Sequence, residues 1–290
     1  MEQLADKWTV GRLLDWTVAK FNEKEFESPT LLAEILLSET LGGSRIDVYT
    51  QMERIATEKE RIQLRGYIDR ALKNEPVQFI VGKTIFFGRE FNVNQSTLIP
   101  RSCTETIVTQ VIKYCNSSAK DEIKIADIGT GSGCIGVTLA AQISKAQIVA
   151  TDISKNAIEL ASKNAKNLGV ANQITFIQGD GLSALKNKFD VICSNPPYIQ
   201  TTEMNMLPPN IKDWEPESAL HGGKDGLLII RPIIQNAHLN LLKEGCLIVE
   251  IAPNIKDSAL HIATSCQTLK DVKILKDQYG DERFLRAYKS

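Results

Sequence analysis

The sequence predicts an α/β protein: a doubly wound, mostly parallel sheet preceded by a small N-terminal helical bundle, with a β-hairpin linker between them. Three observations carry this. From about residue 101, apolar strand patterns alternate with segments of helical period, as in a sheet covered on both faces. The first of these strands runs into Asp127-Ile128-Gly129-Thr130-Gly131-Ser132-Gly133, a glycine-rich turn that opens a helix. Residues 1–75 show only the helical period.

The elements follow in order. Ser28-Pro29 is a helix start, and Leu31 to Leu37 is a strong helix former. Leu64, Tyr67, Ile68, Ala71 and Leu72 share one helix face. Residues 76–100 change character. Phe79-Ile80-Val81-Gly82, Ile85-Phe86-Phe87-Gly88 and Phe91-Asn92-Val93 alternate and break at glycines, which reads as a hairpin. In the domain of residues 101–290, strands are expected at 123–128, 147–151, 173–177, 189–194 and 246–251, with helices between them. One helix begins near Cys134. The next follows Ser154, an N-cap residue type, with Ile158, Ala161, Ala165 and Leu168 on one face. A third spans about 227–242, where Pro232 should kink it or delay its start. Strands at 272–276 and 283–288 form a closing hairpin. There is no internal repeat or low-complexity tract.

Composition excludes several classes. The net charge is −1, without the basic excess that phosphate neutralisation favours. Residues 1–75 hold 14 acidic and 11 basic side chains, which is no nucleic-acid clamp. The six cysteines form no CxxC pair and read as small buried hydrophobes. The three histidines lack metal-ligand spacing, so no metal is expected. No apolar run approaches the roughly 18 residues of a membrane span, and no signal core is present. A soluble monomer in the reducing cytoplasm is expected.

The chemistry concentrates at strand ends. Asn195-Pro196-Pro197-Tyr198 follows the apolar strand 189–194. Two successive prolines cannot donate to a ladder, so the chain leaves the sheet there with free carbonyls. The Asn195 side-chain oxygen and the Pro196 carbonyl can accept both N–H bonds of a planar NH₂ group, and Tyr198 can stack over it. The glycine loop lacks the Lys-Ser or Lys-Thr of a phosphate-binding loop; Cys134-Ile135 stands there. Its third glycine comes one residue early for a dinucleotide site. Asp152 ends the second strand, where a carboxylate can accept two ribose hydroxyls. Asp180 follows the third strand, where an adenine edge would lie. Singly, each acid reads as a cap or turn residue. Successive positions on the carboxyl edge of one sheet favour S-adenosylmethionine (SAM).

These residues resemble the release factor glutamine methyltransferases, the PrmC/HemK family. The likeness includes Ser28-Pro29 and Ala33-Glu34-Ile35-Leu36-Leu37, then Glu75-Pro76-Val77-Gln78-Phe79-Ile80, Phe87-Gly88, Leu98-Ile99-Pro100-Arg101 and Thr104-Glu105. It continues through the glycine loop, Ser194 to Ile199, Glu215-Pro216, and Ala219-Leu220-His221-Gly222-Gly223-Lys224-Asp225-Gly226-Leu227. The resemblance implies a helical substrate-docking domain and a Rossmann-like SAM-dependent domain. It also implies methylation of the side-chain amide nitrogen of the Gly-Gly-Gln glutamine in class I peptide release factors. By the same resemblance, Gly129, Thr130, Gly131, Ser132, Gly133 and Asp152 contact SAM, with Asp180 or Gly181 nearby. Asn195, Pro196, Pro197 and Tyr198 hold the glutamine amide, and Arg101 and Glu105 support the site. Two departures stand beside it: Ser102-Cys103 where the family has Pro and any residue, and Ala252-Pro253 where a glycine follows Glu250-Ile251.

Three other readings stay open. A nucleic-acid methyltransferase acting on adenine N6 or guanine N2 shares the Asn-Pro-Pro-Tyr logic but must extrude its base. The others are a binding module that holds SAM without turnover and, more distantly, a nicotinamide dehydrogenase.

Overall fold

A computed structural model describes residues 8–290. The chain forms two compact units, divided in sequence between Gly82 and Lys83. The first holds α1 (Val10–Asn22), α2 (Pro29–Leu41), α3 (Arg45–Thr50), α4 (Glu58–Ala71) and α5 (Val77–Val81). Capping explains its boundaries. The Thr9 side chain accepts from the Arg12 N–H, while Thr57 and Glu60 form a reciprocal capping box. Pro29 begins α2 at a position where no helical N–H is needed. Leu13, Leu14, Phe21, Leu36, Leu37, Leu64 and Ile68 are buried in this unit's core. Each such side chain contributes about 1.5–3 kcal/mol relative to exposure.

The segment Phe79 to Val81 is helical, not a strand. Pro76 opens the short turn and Gly82, at φ +73°, ends it. The hairpin therefore lies further on, in β1 (Lys83–Phe86) and β2 (Arg89–Asn92), within the second unit. Its two-residue turn, Phe87-Gly88, has φ +49° and +72°, the backbone that matches strand twist.

The rest of the second unit follows as α6 (Glu105–Ser117), β3 (Ile123–Ile128), α7 (Cys134–Gln142), β4 (Ala146–Asp152), α8 (Lys155–Asn167), β5 (Ile174–Gln178), β6 (Phe189–Ser194), α9 (Pro209–Lys212), α10 (Ile230–Asn240), β7 (Leu241–Glu250), α11 (Lys256–Ser265), β8 (Leu269–Lys276) and β9 (Glu282–Lys289). The seven-stranded sheet has the order β5-β4-β3-β6-β7-β9-β8. Strands β3 to β7 pair in parallel, and β9 and β8 close the edge antiparallel. Alternation along β3 assigns the faces. Ile123 and Ile125 pack in one cluster with residues of α6, α7 and α8, while Ala126 and Ile128 join those of α10 and α11.

Two expectations change, in the β5–β6 connection and on α8. α6 and α11 carry no expectation from the strand–helix alternation, because both lie outside the first five strands. Between β5 and β6 there is only a 3-10 turn, Gly181–Ala184, since the connection is too short for a covering helix. On α8 the buried residues are Ala157, Leu160, Ala161, Asn164 and Ala165, so Ile158 lies at the margin of the face. Pro232 delays α10 rather than kinking it: the helix starts at Ile230, leaving Pro232 in its first turn, where its missing N–H costs little.

Candidate active site

The sheet order reverses between β3 and β6. The chain runs outward from β3 to β4 to β5, then returns to β6 on the other side. The carboxyl ends of β3 and β6 thus flank the crevice where such sheets bind ligands. A cleft of about 340 Å³ opens there. It is lined by Gly129 to Ser132 after β3, by Asp152 and Ile153 after β4, by Gly179 to Gly181 after β5, and by Ser194 to Pro197 after β6.

The glycine loop is held from two sides. Asp152 accepts from the Gly131 N–H (2.9 Å) through one carboxylate oxygen and from the Ser154 N–H (2.9 Å) through the other. Asp127, fully buried, accepts from the Thr130 hydroxyl (2.6 Å) and from the Gly136 N–H (2.9 Å) through Oδ2. Burial is the main cause that pushes the Asp127 carboxyl up to about 6. A Cβ at Gly136 would stand 2.9 Å from that oxygen, so the strand and helix can approach this closely only with glycine there. Asp127 and Gly136 had no assigned role in the sequence reading; the strand-end acid before the glycines was the available signal.

Gly133 does not line the cleft. At φ +83° it packs under α8, where a Cβ would meet Ala161 and Val137 at 3.0 Å. It shapes the turn that opens α7. The far wall comes from the segment after the hairpin: Ser96, Thr97, Leu98, Pro100, Arg101 and Thr104. Beyond the family likeness of Leu98 to Arg101, nothing local in the sequence marks this wall, because it is supplied across the fold. Thr97 and Ser132 line the cleft. The Asp152 carboxylate, with lone pairs left over beyond the Gly131 and Ser154 N–H groups, fits a ligand that brings hydroxyls, as the ribose of SAM does.

Asn195 donates through Nδ2 to Thr104 Oγ1 (3.1 Å), and Thr104 donates to Glu250 Oε2 (2.7 Å). Tyr198, expected to stack over the substrate, is not among the residues that line the cleft. Its hydroxyl donates to Glu250 Oε1 (3.2 Å) and its ring packs against the apolar cluster on the α10 side. Burial, then the Glu250 charge, holds its hydroxyl well above the usual range. Glu105 also lies outside the lining; it accepts from the Phe87 N–H (2.7 Å) and so fixes the hairpin turn. Arg101 does line the cleft and pairs with buried Glu215 (2.6 Å).

The two departures from the family pattern are accommodated locally. Ser102 accepts from Gln278 and Tyr279 in the β8–β9 turn, and Cys103 stands 3.9 Å from Glu250. Ala252-Pro253 leads into a 3-10 turn that buries Ile255.

The segment after Tyr198 explains the glycines near 222. Ile199 pairs with His221 in a short parallel bridge, with Ile199 N–H to Leu220 O at 2.9 Å and Gly222 N–H to Ile199 O at 2.8 Å. A Cβ at Gly222 would meet the Tyr198 backbone at 2.7 Å. One at Gly226, φ +74°, would lie 2.6 Å from the Tyr198 carbonyl oxygen. Gly226→Ala is therefore expected to destabilise the protein by about 2 kcal/mol or more and to lower turnover by shifting the loop. Thermal melting and initial rates check this; an unchanged melting temperature and rate would contradict it.

Among the described residues no group of three or more His, Cys, Asp or Glu is placed to hold a metal ion. No helix there is long and apolar enough to cross a membrane. All six cysteines are unpaired.

Fold and cleft together define a SAM-dependent methyltransferase. The family model described as methyltransferase small domain matches residues 109–208, and the PrmC N-terminal domain model matches residues 12–82. A protein of Rhodopirellula baltica is 37% identical over 287 residues, 98% of this chain and 97% of its own. One of Geobacter sulfurreducens is 39% identical over 252 residues, 87% of each chain. Both are named release factor glutamine methyltransferase. This chain belongs to the release factor glutamine methyltransferase family. Solved structures share the fold at low identity. A Pyrococcus furiosus methyltransferase aligns at TM-score 0.50 and 16% identity, over 79% of this chain and 98% of its own. The hMettl16 catalytic domain, solved with a 3′UTR hairpin, aligns at TM-score 0.56 and 16% identity, over 70% and 75%.

Proposed function

We propose that this protein transfers the methyl group of SAM to the side-chain amide nitrogen of the glutamine in the Gly-Gly-Gln motif of class I peptide release factors. The observation that carries it is the shared cleft. Asn195 of the Asn-Pro-Pro-Tyr loop lines the same cavity as Asp152 and the glycine loop, across the sheet's switch point. The family likeness extends over nearly the whole chain.

SAM supplies a strongly electrophilic methyl group. The protein's task is then to position a poor nucleophile, since an amide nitrogen's lone pair is delocalised. Asn195 Oδ1 and the Pro196 carbonyl are the proposed acceptors for the two amide N–H bonds. They aim the lone pair and offset the positive charge that grows on nitrogen. Asp152 is proposed to accept the ribose hydroxyls. Gly129 to Ser132 present backbone to the cofactor, and Ile153, 65% exposed beside Asp152, offers an apolar surface for the purine. Asp180 and Gly181 flank that end of the cleft. Tyr198 anchors the loop from below. The helical unit is proposed to dock the protein substrate; it exposes Trp16 and Ile62, which suits a protein partner.

Incubation of the protein with SAM and a release factor tests this. Peptide mass spectrometry is expected to find one added methyl on the Gly-Gly-Gln glutamine. An unmodified glutamine alongside methylated nucleic acid would instead establish an exocyclic-amine methyltransferase.

A further inference from the structure

We propose that Thr104 and Glu250 are positioning residues that set which way the Asn195 amide faces, and that this orientation selects for a substrate NH₂ group. The proposal rests on the functional reading above and deepens it.

The protons available set the direction of each bond. A threonine hydroxyl has one proton, and an ionised carboxylate can only accept. Thr104 lies 2.7 Å from Glu250 Oε2 and 3.1 Å from the Asn195 amide. While Glu250 is ionised, the Thr104 proton goes to Glu250, and Thr104 can only accept from Asn195. The Asn195 NH₂ must then face Thr104, and Oδ1 is left for the cleft. Oδ1 accepts no hydrogen bond from the described residues. An acceptor aimed into the cleft holds an NH₂ group; a flipped amide would present donors and repel it.

Register explains why these groups meet. β6 and β7 pair in parallel with Ser194 opposite Val249, so Asn195 and Glu250 leave adjacent strands side by side. Thr104 arrives from the 3-10 turn Ser102–Thr104, only 1% exposed. The same carboxylate accepts from Tyr198, so one buried anion orients two members of the loop. An anion at 0% exposure is costly, and its position beneath a reactive loop gives that cost a use.

The groups facing Glu250 are few. Cys103 and Thr104 come from the turn, Tyr198 from the loop, and Arg283 from β9; Arg283 is paired with Asp277 and Asp281. Cys134 of α7 also feels its charge. Burial is the largest influence and pushes the Glu250 carboxyl up to about 7, against the bonds from Thr104 and Tyr198 and the Arg283 charge. Below that pH Glu250 carries a proton to give to Thr104, whose own proton can then meet Asn195 Oδ1 and turn the amide. Activity is lost as pH falls through about 7. Stability runs the other way. Folding takes up a proton between the ordinary value of 4.5 and about 7, so this group's contribution declines as pH rises through that window.

Three variants test the relay. Thr104→Val is expected to lower kcat on the order of 10–100-fold, with SAM affinity within about 3-fold of the unaltered protein. Thr104→Ser, which keeps the hydroxyl, should restore most of the rate. Glu250→Gln, whose amide oxygen still accepts from Thr104, should flatten the acid limb near pH 7 and raise the melting temperature at pH 8. The Asn195 side-chain amide resonances, observed after selective ¹⁵N-asparagine labelling, should shift in Thr104→Val and in the unaltered protein across pH 7. Unchanged resonances in Thr104→Val, or an acid limb that persists in Glu250→Gln, would overturn the relay. Should the unaltered protein leave the release factor unmodified, the functional reading falls, and the amide resonances still decide the relay on their own.

Discussion

Asn195→Ala is expected to abolish methyl transfer, lowering kcat on the order of 100–1000-fold, while SAM binds within about 3-fold of its unaltered affinity. The asymmetry follows from where the side chain is tied. Its Nδ2 donates to Thr104, and among the described residues it makes no hydrogen bond to Asp152 or to Gly129 through Gly133. Removing it takes away the acceptor proposed for the reacting nitrogen and leaves the proposed ribose end intact. Asn195→Asp is the informative companion. It offers Thr104 a second anion beside Glu250, so one of the two must take up a proton. Calorimetry with SAM and single-turnover methylation separate the two effects; near-normal turnover in Asn195→Ala would remove the loop from the chemistry.

Asp152→Ala should act on the other half of the site, weakening SAM binding on the order of 100-fold or more. A carboxylate offers about four acceptor positions. Two are used in the folded protein, by the Gly131 and Ser154 N–H groups at 2.9 Å each. The remaining two match a ribose diol. The substitution therefore removes the two charge-assisted bonds proposed to the cofactor and also the brace that holds the glycine loop against β4. Asp152→Asn should fall between, since its amide oxygen can still accept from Gly131. The readout is the rise in melting temperature on adding SAM, present in the unaltered protein and lost in Asp152→Ala. An undiminished rise would mean that the ribose is bound elsewhere.

Much of this arrangement was legible before the structure. The five parallel strands show as short apolar runs because both faces of the sheet are covered. Ser154 is the N-cap of α8 as its sequence position implies, with its side chain accepting from the Ala157 N–H. The misreadings share a cause. Phe79 to Val81 is apolar and brief, and such a run has no period long enough to separate strand from helix. Pro76 and Gly82 settled it by bounding a single helical turn. Tyr198 and Gly133 sit inside recognisable motifs, yet neither is among the residues that line the cleft. A motif specifies the order of residues along the chain, whereas the direction of each side chain depends on what packs behind it.

The sequence by itself determined the class of fold, the strand ends proposed to bear the chemistry, and the family. All of these follow from local pattern: hydrophobic period, turn residues and short motifs. Only the tertiary structure decided that Thr104 and Glu250, 146 positions apart, share a hydrogen bond beneath Asn195. It alone showed that Glu105 fixes a hairpin turn and that Gly226 lies against the Tyr198 carbonyl. The physical reason is that a buried hydrogen bond or a close backbone approach depends on distance in space. Folding sets that distance through the register of β6 on β7, and neighbouring residues along the chain carry no trace of it.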